Sequence, residues 1–113
     1  MTANGEAPAL PIAILEMVRR IADRFQPERV VLFGSYARGT AGSDSDADLL
    51  VVIEPHGTKR QQATAIDVAL IGISLPADVI VVRREDLDAL APGSVLDEAL
   101  KEGLVLYERQ TEP

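Results

Sequence analysis

The sequence predicts an α/β (α+β) domain, a small mixed sheet of about four strands flanked by helices. Two short apolar runs, Val30–Phe33 and Ala47–Ile53, are nearly continuous, the pattern of strands covered on both faces. Between such runs lie stretches whose apolar residues recur at three and four, the period of an amphipathic helix. At 113 residues, 47% apolar and 26% charged, the chain can bury one core and is too short for a catalytic domain beside a separate substrate domain.

The elements follow in order. Residues 1–9 have no periodicity and are expected to form a frayed arm. From Pro11, Leu15, Val18, Ile21, Ala22 and Phe25 mark the apolar side of a helix that Pro27 ends, with Glu16, Arg19, Arg20, Asp23 and Arg24 between them. Val30–Phe33 is a strand stopped by Gly34, and Ala47–Ile53 is a second, broken by Pro55 and Gly57. Thr58 caps a helix through Arg60, Ala63, Ile66, Ala69 and Leu70, and Gly72 is placed to stop it. Ala77–Arg83 is the third strand, and residues 85–90 form a short helical turn. Ser94-Val95-Leu96-Asp97 resembles a capping box opening a helix through Leu100 and Lys101, closed by Gly103. Leu104–Tyr107 is a last short strand, followed by a polar tail. One domain is therefore expected at residues 10–108, with 1–9 and 109–113 as flexible termini.

Charge and composition exclude several classes. Eleven basic residues against eighteen acidic ones leave a formal net charge of −7, which argues against holding nucleic acid by broad phosphate neutralisation. The absence of cysteine removes disulfides, thiolate zinc sites and a cysteine nucleophile. No apolar run approaches the roughly 20 residues that span a bilayer, and residues 1–8 lack the basic start of a secretory signal, so a cytoplasmic location is expected.

Small, polar and acidic residues crowd together in one stretch, from Gly34 to Asp48. Directly after a strand, Gly34 permits a sharp turn, and Ser35 brings a hydroxyl and a backbone N–H to the start of a short helical turn, the geometry that cradles phosphate. Arg38 adds a cation on the same loop. Asp46 and Asp48 are two apart at a strand mouth, so both carboxylates project from one face. Like charges about 4 Å apart repel by roughly 4 kcal/mol at an effective dielectric of 20, and a divalent cation is the simplest reason for such a pair to persist. Magnesium takes one or two carboxylates and completes its octahedron with water and phosphate. Asp78 opens the third strand and supplies a third acid if that strand neighbours the second, able also to act as general base. Asp67, Asp86 and Asp88 fall on predicted helix or turn and rank below it.

Gly34-Ser35-Tyr36-Ala37-Arg38-Gly39, then Ser45-Asp46-Ala47-Asp48-Leu49-Leu50-Val51, then Asp78 on a strand, resembles the polymerase beta type nucleotidyltransferases, and more closely the minimal nucleotidyltransferase (MNT) family. The likeness covers about residues 12–108 in element order, with its specific part at 34–51. It implies magnesium, ATP as nucleotide donor, and transfer of a nucleoside monophosphate to a hydroxyl. By this resemblance Gly34 and Ser35 match the phosphate-binding turn, Asp46 and Asp48 the metal pair, and Asp78 the third acid. Small stand-alone members are typically antitoxins paired with HEPN-domain RNase toxins, and similar ones attach AMP to a toxin tyrosine.

Taken singly, a Gly-Ser turn or a Ser-Asp cluster is ordinary turn chemistry; only the conjunction points to a site. His56 is expected in a solvated loop, Tyr107 in packing and Tyr36 at the pocket wall; Lys59, Arg60, Arg83 and Arg84 are expected to face solvent, with assistance to triphosphate binding by one of them as the alternative. Competing functions are a small-molecule (aminoglycoside-like) nucleotidyltransferase, which usually carries a further domain, and a non-catalytic antitoxin that binds a basic toxin face.

Overall fold

Pro11 stands at the N-cap of the first helix, α1 (Ile12–Phe25), where a missing N–H costs nothing. The structure, a computed structural model, describes residues 10–110, so the arm expected at 1–9 and residues 111–113 of the one expected at 109–113 lie outside the described residues. At the other end of α1, Gln26 turns left-handed at φ 48° and its N–H closes on the Ala22 carbonyl. Ile14, Met17, Val18 and Ile21 form the buried stripe. Leu15, expected in that stripe, is 51% exposed, because it stands one residue, about 100°, round the helix from Ile14. On the outer face Glu16 accepts from both Arg19 and Arg20, and these hydrogen bonds lower its carboxyl to about 2.

Four strands make the sheet: β1 (Arg29–Phe33), β2 (Ala47–Val52), β3 (Ala77–Val82) and β4 (Leu104–Glu108), in the order β3-β2-β1-β4. β1 runs antiparallel to β2 and to β4, whereas β2 and β3 are parallel. A parallel neighbour requires a crossover, and α3 (Lys59–Ala69) supplies it. Thr58 caps α3 through a reciprocal capping box with Gln61. Three shorter helices complete the chain: α2 (Ser35–Arg38) after β1, α4 (Arg84–Asp88) after β3, and α5 (Val95–Glu102) before β4, with the Ser94 hydroxyl accepting from the Asp97 N–H.

Both faces of the sheet are covered, as the continuous apolar runs of β1 and β2 require. On one face Val30, Leu32, Leu49 and Val51 pack beneath Ile14, Met17 and Ile21 of α1 and Ile66 of α3. On the other, Val31, Leu50, Val52 and Val82 lie under Leu87 of α4 and Leu96 and Leu100 of α5. Each fully buried Leu or Ile contributes roughly 1.5–3 kcal/mol. Most boundaries shift by one or two residues from expectation, and two of the differences bear on packing. β4 extends through Glu108, and Arg109 is tied back by its N–H to the Glu28 carbonyl and by its guanidinium to the Gln26 carbonyl, where a loose tail was expected. The helix expected to reach Leu70 ends at Ala69, and Leu70 turns inward to the core.

Candidate active site

The site forms where β1 ends and β2 and β3 begin. Gly34 joins β1 to α2 at φ 76° and ψ −154°, a conformation essentially confined to glycine. A Cβ built there would collide with the Asp48 carboxylate, so glycine is required twice, for its backbone angle and for the carboxylate over it. The N–H groups of Ala37 and Arg38 bond to the Gly34 carbonyl, and Gly39, left-handed at φ 79°, ends the turn. Among the described residues the Ser35 hydroxyl makes no hydrogen bond, which leaves it free for a ligand on the loop. The following segment is held by Ser45, whose hydroxyl accepts from the Gly42 N–H at 2.9 Å.

Asp48 and Asp78 are register partners in the parallel β2–β3 pair. Partners across parallel strands share a face at about 4.8 Å spacing, so the two carboxylates stand side by side. Asp46, two residues before Asp48, has the same parity and is exposed at the strand mouth. All three belong to the sheet face that α4 and α5 cover, but at the end beyond Leu50, where Asp48 is half-buried and Asp78 exposed. Burial pushes the Asp48 carboxyl up, the Asp78 and Asp46 charges push it further, and only Arg38 opposes them. The six residues singled out in the sequence, Gly34, Ser35, Arg38, Asp46, Asp48 and Asp78, therefore meet at one end of the sheet.

Other candidates lie elsewhere. Lys59, Arg83 and Arg84 follow the opposite ends of β2 and β3, about 16 Å from Asp78 along the strand, and pair with Asp86, Glu54 and Glu28. Asp86 also accepts from the Arg83 N–H, and Lys59 and this bond hold its carboxyl below the usual range. The His56 N–H bonds to the buried Gln62 side chain, so the residue belongs to loop structure. Tyr36 and Tyr107 pack against the core. A groove of about 280 Å³ is also at that far end, lined by Glu28, Arg29, Arg84 and Arg109 among others, with Arg29 paired to Glu108 and Arg84 to Glu28. Volume and chemistry disagree here, and the chemistry locates the site, because an open carboxylate mouth suits a charged substrate and need not be deep.

Two further residues stand near the six: Asp67, which the sequence ranks below Asp78, and Glu102, which the sequence does not single out. Asp67 of α3 is raised by burial and then by the Asp78 charge, which places it in the electrostatic surroundings of the site. Glu102, the last residue of α5, pairs with Arg38 at 3.7 Å. Nothing local marks either one; both depend on how helices distant in sequence return to the sheet.

As a donor set, the carboxylates suit a hard cation. Among the described residues no three His, Cys, Asp or Glu side chains converge tightly enough to cage a metal alone. Magnesium does not demand such a cage, since it keeps several waters and shares its shell with substrate phosphate. The paired carboxylates, in which burial first and then the neighbouring charges raise Asp48, together with a glycine turn next to them, fit an ion of that kind.

Comparison with known proteins identifies the family of the domain. The family of the nucleotidyltransferase domain matches residues 14–106. Over 54 residues the chain is 37% identical to the "Putative protein adenylyltransferase MJ0141" of Methanocaldococcus jannaschii, covering 48% of this chain and 54% of that protein. The match thus spans about half the length of that curated relative. Among solved structures, a "putative minimal nucleotidyltransferase" shares 32% identity at a TM-score of 0.54, over 81% of this chain and 93% of the other. A toxin-antitoxin solved with AMP-PNP has the same fold, with a TM-score of 0.54 at 22% identity over 88% of this chain and 73% of that one. The glycine turn and in-register aspartates thus sit in a scaffold whose family is recognised over most of its length, and the chain belongs to the nucleotidyltransferase domain family, among its minimal members.

Proposed function

We propose that this protein is a magnesium-dependent adenylyltransferase acting as an antitoxin: it transfers AMP from ATP to a hydroxyl, a tyrosine, of a HEPN-type RNase toxin in the cytoplasm. The observation that carries this reading is the in-register pair Asp48 and Asp78 with Gly34 packed under the Asp48 carboxylate. The toxin-antitoxin neighbour with its ATP analogue and the adenylyltransferase relative favour a protein acceptor and an adenine nucleotide. The carboxylates stand at an open end of the sheet, with Asp78 exposed, a place that a protein surface carrying its own hydroxyl can reach.

In this reading Gly34 lets the backbone approach the triphosphate, while the Ser35 hydroxyl and Arg38 guanidinium donate to its oxygens. Asp46 and Asp48, with Asp78 beside Asp48, would hold magnesium together with water and substrate phosphate. The ion, when bound, neutralises phosphate charge and favours in-line displacement. Asp78 accepts the proton of the acceptor hydroxyl as its oxygen bonds to the α-phosphorus. The bond from that phosphorus to the bridging oxygen breaks, and pyrophosphate leaves. The toxin tyrosine then carries AMP.

The test is label transfer from α-labelled ATP to the partner toxin. The unaltered protein is expected to label it, and Asp46→Asn with Asp48→Asn to lower the rate by about a hundredfold or more, the scale set by losing one preorganised electrostatic partner. Undiminished transfer by the double variant contradicts the metal role, and toxin neutralisation without any label would leave binding as the mechanism.

A further inference from the structure

Glu102 is the last residue of α5, and the chain turns at Gly103 directly into β4. That turn lies hard against β1: a Cβ on Gly103 would stand 2.5 Å from Val31 Cγ1, 2.9 Å from the Ala99 carbonyl oxygen and 3.1 Å from the Leu32 carbonyl oxygen. Such contacts fix the end of α5 two residues from Gly34, where the phosphate turn begins. Leu96 and Leu100 bury the inner side of the helix and hold it on the sheet. Asp97 is engaged within its own surroundings, by Lys101 at 3.2 Å and the Gly93 N–H at 2.8 Å. Glu102 reaches outward to Arg38.

Arg38 is thus shared. Its guanidinium is about half exposed and 3.7 Å from the equally exposed Glu102 carboxylate, and it is the cation of the turn whose field falls on Asp48. A pair of that length and exposure is weak. A triphosphate oxygen pair offers Arg38 a stronger, two-pronged partner. We propose that Glu102 is a positioning residue for nucleotide binding: it holds the Arg38 guanidinium at the end of α5 in the nucleotide-free site and yields it to the phosphates of an entering nucleoside triphosphate. Glu102 therefore competes with the nucleotide for Arg38 and sets affinity lower than the turn would otherwise have.

This inference rests on the nucleotidyltransferase reading of the same site, and the test separates the two. Binding of α,β-methylene ATP with magnesium is measured by calorimetry for the full chain and for Glu102→Gln, Arg38→Gln and the double variant. Glu102→Gln is expected to tighten binding about two- to fivefold, the range of a half-exposed ion pair. In transfer assays it is expected to lower KM for ATP with kcat unchanged. Glu102→Asp, with a shorter reach, is expected to fall between. In the Arg38→Gln background the gain from Glu102→Gln is expected to vanish, because the effect passes through Arg38. An equal gain in both backgrounds means simple relief of charge repulsion and overturns the inference alone, as does weaker binding by Glu102→Gln. Failure of the unaltered protein to bind the analogue overturns the nucleotide reading, and this inference with it.

Discussion

Gly34 carries two constraints at once, since neither its φ of 76° with ψ −154° nor the space beneath the Asp48 carboxylate accommodates a side chain. Gly34→Ala is expected to destabilise the fold by roughly 1–3 kcal/mol and to displace Asp48, so thermal unfolding and label transfer should fall together. Asp48 gives the opposite signature. Burial, Asp78 and Asp46 hold its carboxyl above the ordinary 3.8, so the folded protein binds that proton more tightly than the unfolded chain. Stability is lost as pH rises through the interval between the ordinary value and the raised one, and stays lower above it. Asp48→Asn is therefore expected to melt higher than the unaltered protein at neutral pH while losing activity, with the difference closing below about pH 4. Melting curves across pH check this, and a lower neutral-pH melting temperature for Asp48→Asn contradicts it. At this scale the motif was legible, because Gly34, Ser35, Asp46 and Asp48 fall within one loop and their chemistry is local. The collision that makes Gly34 obligatory was not, since it involves a carboxylate fourteen residues away in a paired strand.

Elements were legible where caps and apolar spacing mark them. Thr58 with Gln61, and Ser94 with Asp97, open helices where the sequence places them. Thr58→Ala is expected to cost about 1 kcal/mol and leave label transfer unchanged at temperatures where the protein is folded, because the cap sits at the end of the β2–α3–β3 crossover away from Asp78. On α1, Glu16 makes a converse contribution to that of Asp48. Its carboxyl, lowered to about 2 by the Arg19 and Arg20 hydrogen bonds, stabilises the helix above the ordinary 4.5 and loses that contribution as pH falls toward 2. Glu16→Gln is accordingly expected to narrow the acid-unfolding difference between neutral and low pH. The placement of Asp78 was legible only conditionally. Its neighbourhood to Asp48 depends on strand order and on a register of Asp48 to Asp78 that the length of α3 and its loops enforces, and no local signal reports a pairing thirty residues apart. The same holds for Leu15, whose apolar spacing admits two overlapping stripes on α1 until the sheet selects one.

For the molecule as a whole, chemistry is separated along the sheet. Carboxylates gather where β2 and β3 begin, and Arg29 and Arg84 lie at the far end, paired with Glu108 and Glu28, so the net charge of −7 is unevenly felt. The fold class was readable from two continuous apolar runs, because a strand covered on both faces demands layers of helix on either side. Leu50, fully buried between β2 and α5 and two residues from Asp48, links the core to the site. Leu50→Ala is expected to cost about 2–5 kcal/mol, read as a lower urea midpoint with the slope retained. The central claim, that aspartates from two parallel strands share one cation beside a nucleotide tail, is tested most directly by anomalous diffraction from crystals grown with manganese and α,β-methylene ATP. The account predicts a manganese peak bounded by Asp46, Asp48 and Asp78, with the triphosphate against Gly34 and Ser35. Manganese and nucleotide bound at the far groove, or an analogue bound at the turn with no ion touching those aspartates, would contradict it.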